Sequence, residues 1–142
     1  MINCQTADDQ WYCKLRGGRA NNILFRLLLE TNCSPFGMQS GTILDSQISA
    51  SSEHGPDYAA HLGRLNLQVG QTSWRALVND VNQWLQVDFL QNVTLSKLAT
   101  QGRDNTPEWV ESYFLSYSMD GSVFETYKQC GEDKVRLPLN RG

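Results

Sequence analysis

The run Trp84-Leu85-Gln86-Val87-Asp88-Phe89 alternates large apolar with polar side chains. Successive side chains of an extended chain face opposite ways, so Leu85, Val87 and Phe89 share one face of a strand and Gln86 and Asp88 the other. Val93 to Thr100 predicts a second strand, and Tyr113-Phe114-Leu115-Ser116-Tyr117-Ser118 a third. Asp120-Gly121 follows the third strand at once. Such a pair supplies the positive φ angles of a tight hairpin, so Val123 to Lys128 is expected to return antiparallel to that strand. Ile43 to Ser51 predicts one more strand with a small-residue end. Short strands divided by turn-rich loops are the pattern of an all-β sandwich or barrel.

The pattern changes near Cys33. Residues 1 to 32 hold Cys4, Cys13, the Gly17-Gly18 pair and a helix-compatible run from Asn21 to Glu30. This stretch is expected to be an N-terminal extension or the tail of a preceding module, with the domain proper in residues 33 to 142. The longest apolar stretch, Ile23 to Leu29, is broken by Arg26 and falls far short of the roughly 20 residues that span a bilayer. It lies behind the acidic pair Asp8 and Asp9, and no small-residue cleavage site follows it, so it predicts part of a short helix or strand rather than a signal-peptide core.

Two connections are dense in turn formers and charge. Glu53 to Thr72 carries His54, Gly55, Pro56, Asp57 and Tyr58, and Gly102 to Glu108 carries Arg103, Asp104 and Asn105. A third, between Trp74 and Trp84, carries Asn79 and Asp80. Polar loops on a rigid β scaffold are the usual place for binding residues.

With 142 residues, 40% of them hydrophobic and 19% charged, the chain suits one folded domain and not a disordered polymer. A net charge of −3 with scattered Lys and Arg lacks the basic footprint of a nucleic-acid protein and disfavours a strongly anionic membrane. The four cysteines, Cys4, Cys13, Cys33 and Cys130, lack the close pairing of zinc ligands. Asn92-Val93-Thr94 and Asn32-Cys33-Ser34 match the N-glycosylation acceptor, which with the cysteines points to an oxidising compartment. Enzymatic chemistry finds little support. His54 and His61 lack the spacing of a helical zinc site, and there is no GxSxG elbow, phosphate-binding glycine loop or CxxC pair. A carboxylate pair such as Asp57 with Asp104 has no separation fixed by the sequence. No cofactor or metal is expected.

Several fragments in order carry a resemblance. Cys33-Ser34-Pro35-Phe36-Gly37-Met38-Gln39-Ser40-Gly41 and Ile48-Ser49-Ala50-Ser51-Ser52 come first, then Arg64-Leu65-Asn66, Trp74-Arg75-Ala76 and Asn82-Gln83-Trp84-Leu85-Gln86-Val87-Asp88. Ala99-Thr100-Gln101-Gly102-Arg103, Trp109-Val110 and Tyr117-Ser118-x-Asp120-Gly121 complete the series. Together they resemble the discoidin, or coagulation factor 5/8 type C, domain over residues 33 to roughly 130. Leu90-Gln91 replaces the glycine usual after the Trp84 strand, and Phe124 stands where a tryptophan is common.

The resemblance implies a distorted β-barrel of jelly-roll type, like galactose-binding domains, with the family's last strands and closing cysteine absent after Gly142. Cys33 is then expected to be unpaired or to have a partner outside the family pattern, and Cys4 with Cys13 is the favoured local pair because the loop it closes is short. It also implies that His54, Asp57, Tyr58, Asn79, Asp80, Arg103, Asp104 and Asn105 line one recognition cleft at the loop end. Planar hydrogen bonds and stacking there suit a cell-surface or matrix glycan or protein. The alternatives are a phospholipid-binding module, or a carbohydrate-binding accessory module of a larger secreted enzyme. Apolar projections, with which phospholipid-binding relatives enter the bilayer, are not evident in the loops. An extracellular setting, secreted or on a membrane protein's ectodomain, follows from the same resemblance.

Overall fold

The computed structural model describes residues 12–18, 26–28, 35–67, 73–95, 97–103 and 106–128. Seven strands lie among them: β1 (Tyr12–Gly18), β2 (Arg26–Leu28), β3 (Ile48–Ala50), β4 (Gln83–Asp88), β5 (Lys97–Ala99), β6 (Ser112–Ser118) and β7 (Glu125–Thr126). Five form one sheet in the order β3-β4-β1-β6-β7, every neighbour antiparallel, and β2 with β5 forms a second, two-stranded sheet. The only helices among the described residues are short 3-10 turns at Asp45–Gln47, Pro56–Tyr58 and Ala60–Gly63. The fold is all-β.

β4 has the predicted alternation. Leu85, Val87 and the adjoining Phe89 are at most 6% exposed, while Trp84, Gln86 and Asp88 are only half-buried. The buried row packs with Met38, Ile43, Ile48, Trp74, Val93, Val110, Tyr113 and Leu115 into one core. Trp74 is fully enclosed and donates its indole N–H to the carbonyl of Ser52 at 2.9 Å, so its one polar atom is satisfied where it is buried. Trp109, by contrast, is 39% exposed.

The hairpin after β6 is looser than the sequence predicts. Six residues, Met119 to Phe124, separate β6 from β7, and only Gly121 of the Asp120-Gly121 pair takes a positive φ, 72°. Asp120 organises the turn with its side chain: Oδ1 accepts the amides of Ser122 and Val123 at 2.8 and 2.9 Å. These bonds hold the carboxyl below its ordinary pKa, that from Val123 most, then Ser122, then the Ser118 hydroxyl.

The N-terminal stretch also departs from expectation. β1 is the middle strand of the larger sheet, and Arg26–Leu28, inside the helix-compatible run, is a strand paired with β5. Tyr-Cys-Lys-Leu-Arg-Gly-Gly has one large aliphatic residue and low strand propensity, so its placement depends on non-local ladders that no local pattern reveals.

The glycines of the Cys33 to Gly41 fragment have a steric reason. Gly37 and Gly41 adopt φ of 102° and 81°, and a Cβ on Gly37 would overlap Thr42. The turn sends Met38 into the core at 1% exposure. Arg64, itself 6% exposed, closes it by donating to the carbonyls of Met38 and Ile43 at 2.9 and 2.7 Å and to Asp45.

Candidate functional site

Two loops are laced together by backbone bonds. His54 donates its amide to the carbonyl of Arg75 at 2.9 Å, and Arg75 donates its own to Tyr58 at 3.2 Å. The Leu77 amide donates to Ser52 Oγ, and Ser52 Oγ and Ser51 Oγ both donate to Gln83 Oε1. Glu53 accepts the Ala60 amide at 2.7 Å, fixing the start of the Ala60–Gly63 turn. The segment from 52 to 60 and the Trp74 to Trp84 connection therefore form one platform at one end of the sheet.

Tyr58 is its centre. The His54 ring meets it edge-on at 5.6 Å, and the guanidinium groups of Arg75 and Arg103 lie 5.7 and 5.6 Å from its centroid. Contacts of this kind are favourable through the ring quadrupole, by about 0.5–1 kcal/mol where solvent reaches them. Arg103 is also committed to Glu108, by a 2.8 Å ion pair and by its amide bond to the Glu108 carbonyl. Its side chain is only 18% exposed, so it forms a wall of the platform. Arg75 is half-buried and, among the described residues, its guanidinium has no carboxylate or carbonyl partner.

The structure thus brings His54, Tyr58 and Arg103 together and adds Arg75, which the sequence marked only as part of a family fragment. Asp57 and Asn79 are exposed on the same two loops. Asp80 is tied into its own turn: Oδ1 accepts the Asn82 amide at 2.8 Å and the Gln83 side-chain amide at 2.9 Å. Those bonds lower its pKa, the Gln83 bond most. Asp104, Asn105, Asn32, Cys4, Cys33 and Cys130 lie outside the described residues, and only the backbone of Cys13 is described. The binding role expected of the first two, the cysteine pairing and glycosylation at Asn32 therefore remain expectations from the sequence. Asn92 is exposed.

The Trp74 to Trp84 connection also carries an apolar tip. Leu77, Val78 and Val81 are 60%, 50% and 66% exposed within five residues. Three aliphatic side chains left in water on a loop anchored to the platform correct the expectation that the loops lack apolar projections. Among the described residues no cluster of His, Cys, Asp or Glu is arranged to hold a metal ion.

The profile of the F5/8 type C domain matches residues 47–140. The chain belongs to the F5/8 type C family. Cow (Bos taurus) lactadherin is 36% identical over 116 residues, covering 75% of this chain and 27% of lactadherin. Human (Homo sapiens) coagulation factor VIII is 37% identical over 110 residues, covering 73% of the chain and 5% of the factor. The venom prothrombin activator pseutarin-C non-catalytic subunit of Pseudonaja textilis is 36% identical over 101 residues, 67% of the chain and 7% of that subunit. The chain therefore spans 27% or less of the length of these relatives. No solved structure matches it. As an F5/8 type C domain the chain is a non-enzymatic binding module.

Proposed function

We propose that this F5/8 type C domain is an extracellular recognition module that docks its loop end on a phospholipid surface. The observation that carries this is the tip Leu77, Val78 and Val81, exposed together on a loop held by backbone bonds to its neighbour. Burying a Val or Leu side chain is worth about 1.5–3 kcal/mol, so partial burial of three is enough to drive docking without a basic surface. That fits a chain whose net charge is −3. Arg75, two residues before Leu77 and lacking an acid partner among the described residues, stands ready for the phosphate oxygens that a headgroup presents.

A second reading has its own observation. The Tyr58 ring with His54, Arg75 and Arg103 around it suits a glycan or a protein carboxylate on a cell surface or matrix, through stacking and planar hydrogen bonds. Asp57, Asn79 and Asp80 would rim that site, with Asp104 and Asn105 as the sequence expects. A setting in an oxidising compartment makes Asn92 a glycosylation site under either reading.

Cosedimentation with phosphatidylcholine vesicles, with and without phosphatidylserine, tests the first reading against a glycan array. Binding to vesicles that falls on the order of a hundredfold in the Leu77→Ser, Val78→Ser, Val81→Ser triple variant supports it. Retained vesicle binding in that variant overturns the role of the apolar tip, and glycan binding with none to vesicles overturns the reading in favour of the second.

A further inference from the structure

Gln83 opens β4 in the same row as Leu85, Val87 and Phe89, where the alternation of the strand calls for an apolar side chain. It is 6% exposed. A primary amide buried to that degree is destabilising unless its oxygen and its nitrogen both find partners. Here both do: Oε1 accepts the hydroxyls of Ser51 and Ser52 at 2.7 and 2.6 Å, and Nε2 donates to Asp80 Oδ1 at 2.9 Å.

Chemistry fixes the direction of each bond. An ionised carboxylate only accepts, so the amide must turn Nε2 towards Asp80 and Oε1 towards the serines. Ser52 then directs its one proton at Gln83 and keeps a lone pair for the Leu77 amide, which donates to it at 3.1 Å. Ser51 is arranged in the same way, its oxygen accepting the Trp84 amide at 3.0 Å. A line of bonds therefore runs from the Leu77 amide through Ser52 and Gln83 to Asp80, and Asp80 also accepts the Asn82 amide at 2.8 Å. Both ends of that line lie on the loop that carries the apolar tip. Val78 and Asn79 stand between its two ends, and Val81 between Asp80 and Asn82. Aliphatic side chains on a free loop gain by collapsing onto nearby protein surface, and pinning the loop at Leu77 and Asp80 opposes that collapse.

We infer that Gln83 is a positioning residue for lipid docking, joining the two ends of the tip so that Leu77, Val78 and Val81 stay outward. The role rests on the lipid reading of the loop end. Gln83 acts before contact, by keeping the docking conformation populated, and touches no lipid itself. A module whose competent conformation is only a fraction of its population binds more weakly by that fraction.

Swapping donor and acceptor separates this role from a merely structural one. Gln83→Glu keeps acceptors for both serines but sets a carboxylate against that of Asp80, and adding Asp80→Asn restores the bond with its direction reversed. The two readouts are amide exchange without lipid and cosedimentation with phosphatidylcholine vesicles, with and without phosphatidylserine, at about pH 8, above the carboxylate range. In Gln83→Glu the Leu77 and Asn82 amides should exchange faster while those of β4 stay protected, and vesicle binding should fall on the order of tenfold. The double variant should recover both. Should Gln83→Glu fail to fold, Ser52→Ala takes its place: it cuts the line at the Leu77 end and should quicken Leu77 exchange and weaken vesicle binding together. Unchanged exchange at the tip, no recovery in the double variant, or wild-type vesicle affinity in a variant whose tip amides exchange fast would each overturn the inference. A wild-type chain that binds no vesicles removes the lipid reading and this role with it, which sets that failure apart from the others.

Discussion

Leu90 adopts a φ of 56° with its side chain 63% exposed, at the position where the family usually has glycine. A left-handed backbone costs an L-residue about 1–2 kcal/mol, and glycine's extra chain entropy returns about 0.5–1 of that. Leu90→Gly is therefore expected to raise stability by about 0.5–1 kcal/mol in a denaturant titration, since little buried surface is lost. Gly37 is the opposite case. Its φ of 102° and the proximity of Thr42 predict that Gly37→Ala costs about 1–3 kcal/mol, measured the same way. Both positions were marked in the sequence, one as a departure from the family and one as a motif glycine, but the sequence gives a residue type and not a dihedral. Exposure was legible only where alternation reports it. Leu85, Val87 and Phe89 announce their burial by spacing; Leu77, Val78 and Val81 have no period, and whether a loop aliphatic folds back or stays in water is settled by tertiary contacts.

At the scale of elements, β4 and β6 were predicted nearly to their ends because each has a buried face of its own. β1 was not, because its pattern has meaning only between two other strands. The loops that make the platform were recognised as polar connections, but not that the amide of His54 binds Arg75 or that Arg103 binds Glu108, since such pairings join distant positions. One turn in the platform is sensitive to acid. Asp80 has its carboxyl pKa lowered from the usual 3.8, so the folded state favours the charged form. Its contribution is full above the usual value and is lost as pH falls through the lower folded one. Amide exchange at Asn82 should accordingly quicken below about pH 4, and Asp80→Asn should weaken that response. If Asn82 exchange, corrected for its intrinsic pH dependence, is flat through that range, Asp80 does not hold the turn. Arg64 tests the opposite end: Arg64→Met strands the buried carbonyls of Met38 and Ile43 and is expected to cost about 2–3 kcal/mol in the same denaturant titration.

For the whole molecule, the F5/8 type C fold was identifiable from ordered fragments, and the function followed only to the level of a binding module. The choice between a lipid surface and a glycan or protein turns on which groups at the loop end stay exposed, and the sequence alone pointed away from the apolar tip. The central claim is that this end, and not the end carrying Gly37 and Leu90, makes the contact. The most direct measurement is a backbone amide chemical-shift map of the isotopically labelled chain as phospholipid nanodiscs are added. Shifts and line broadening concentrated at residues 52–58, 75–82 and 101–103 are the expected result. Perturbation centred on residues 37–47 and 88–92, or none anywhere at saturating nanodisc concentration, would contradict it.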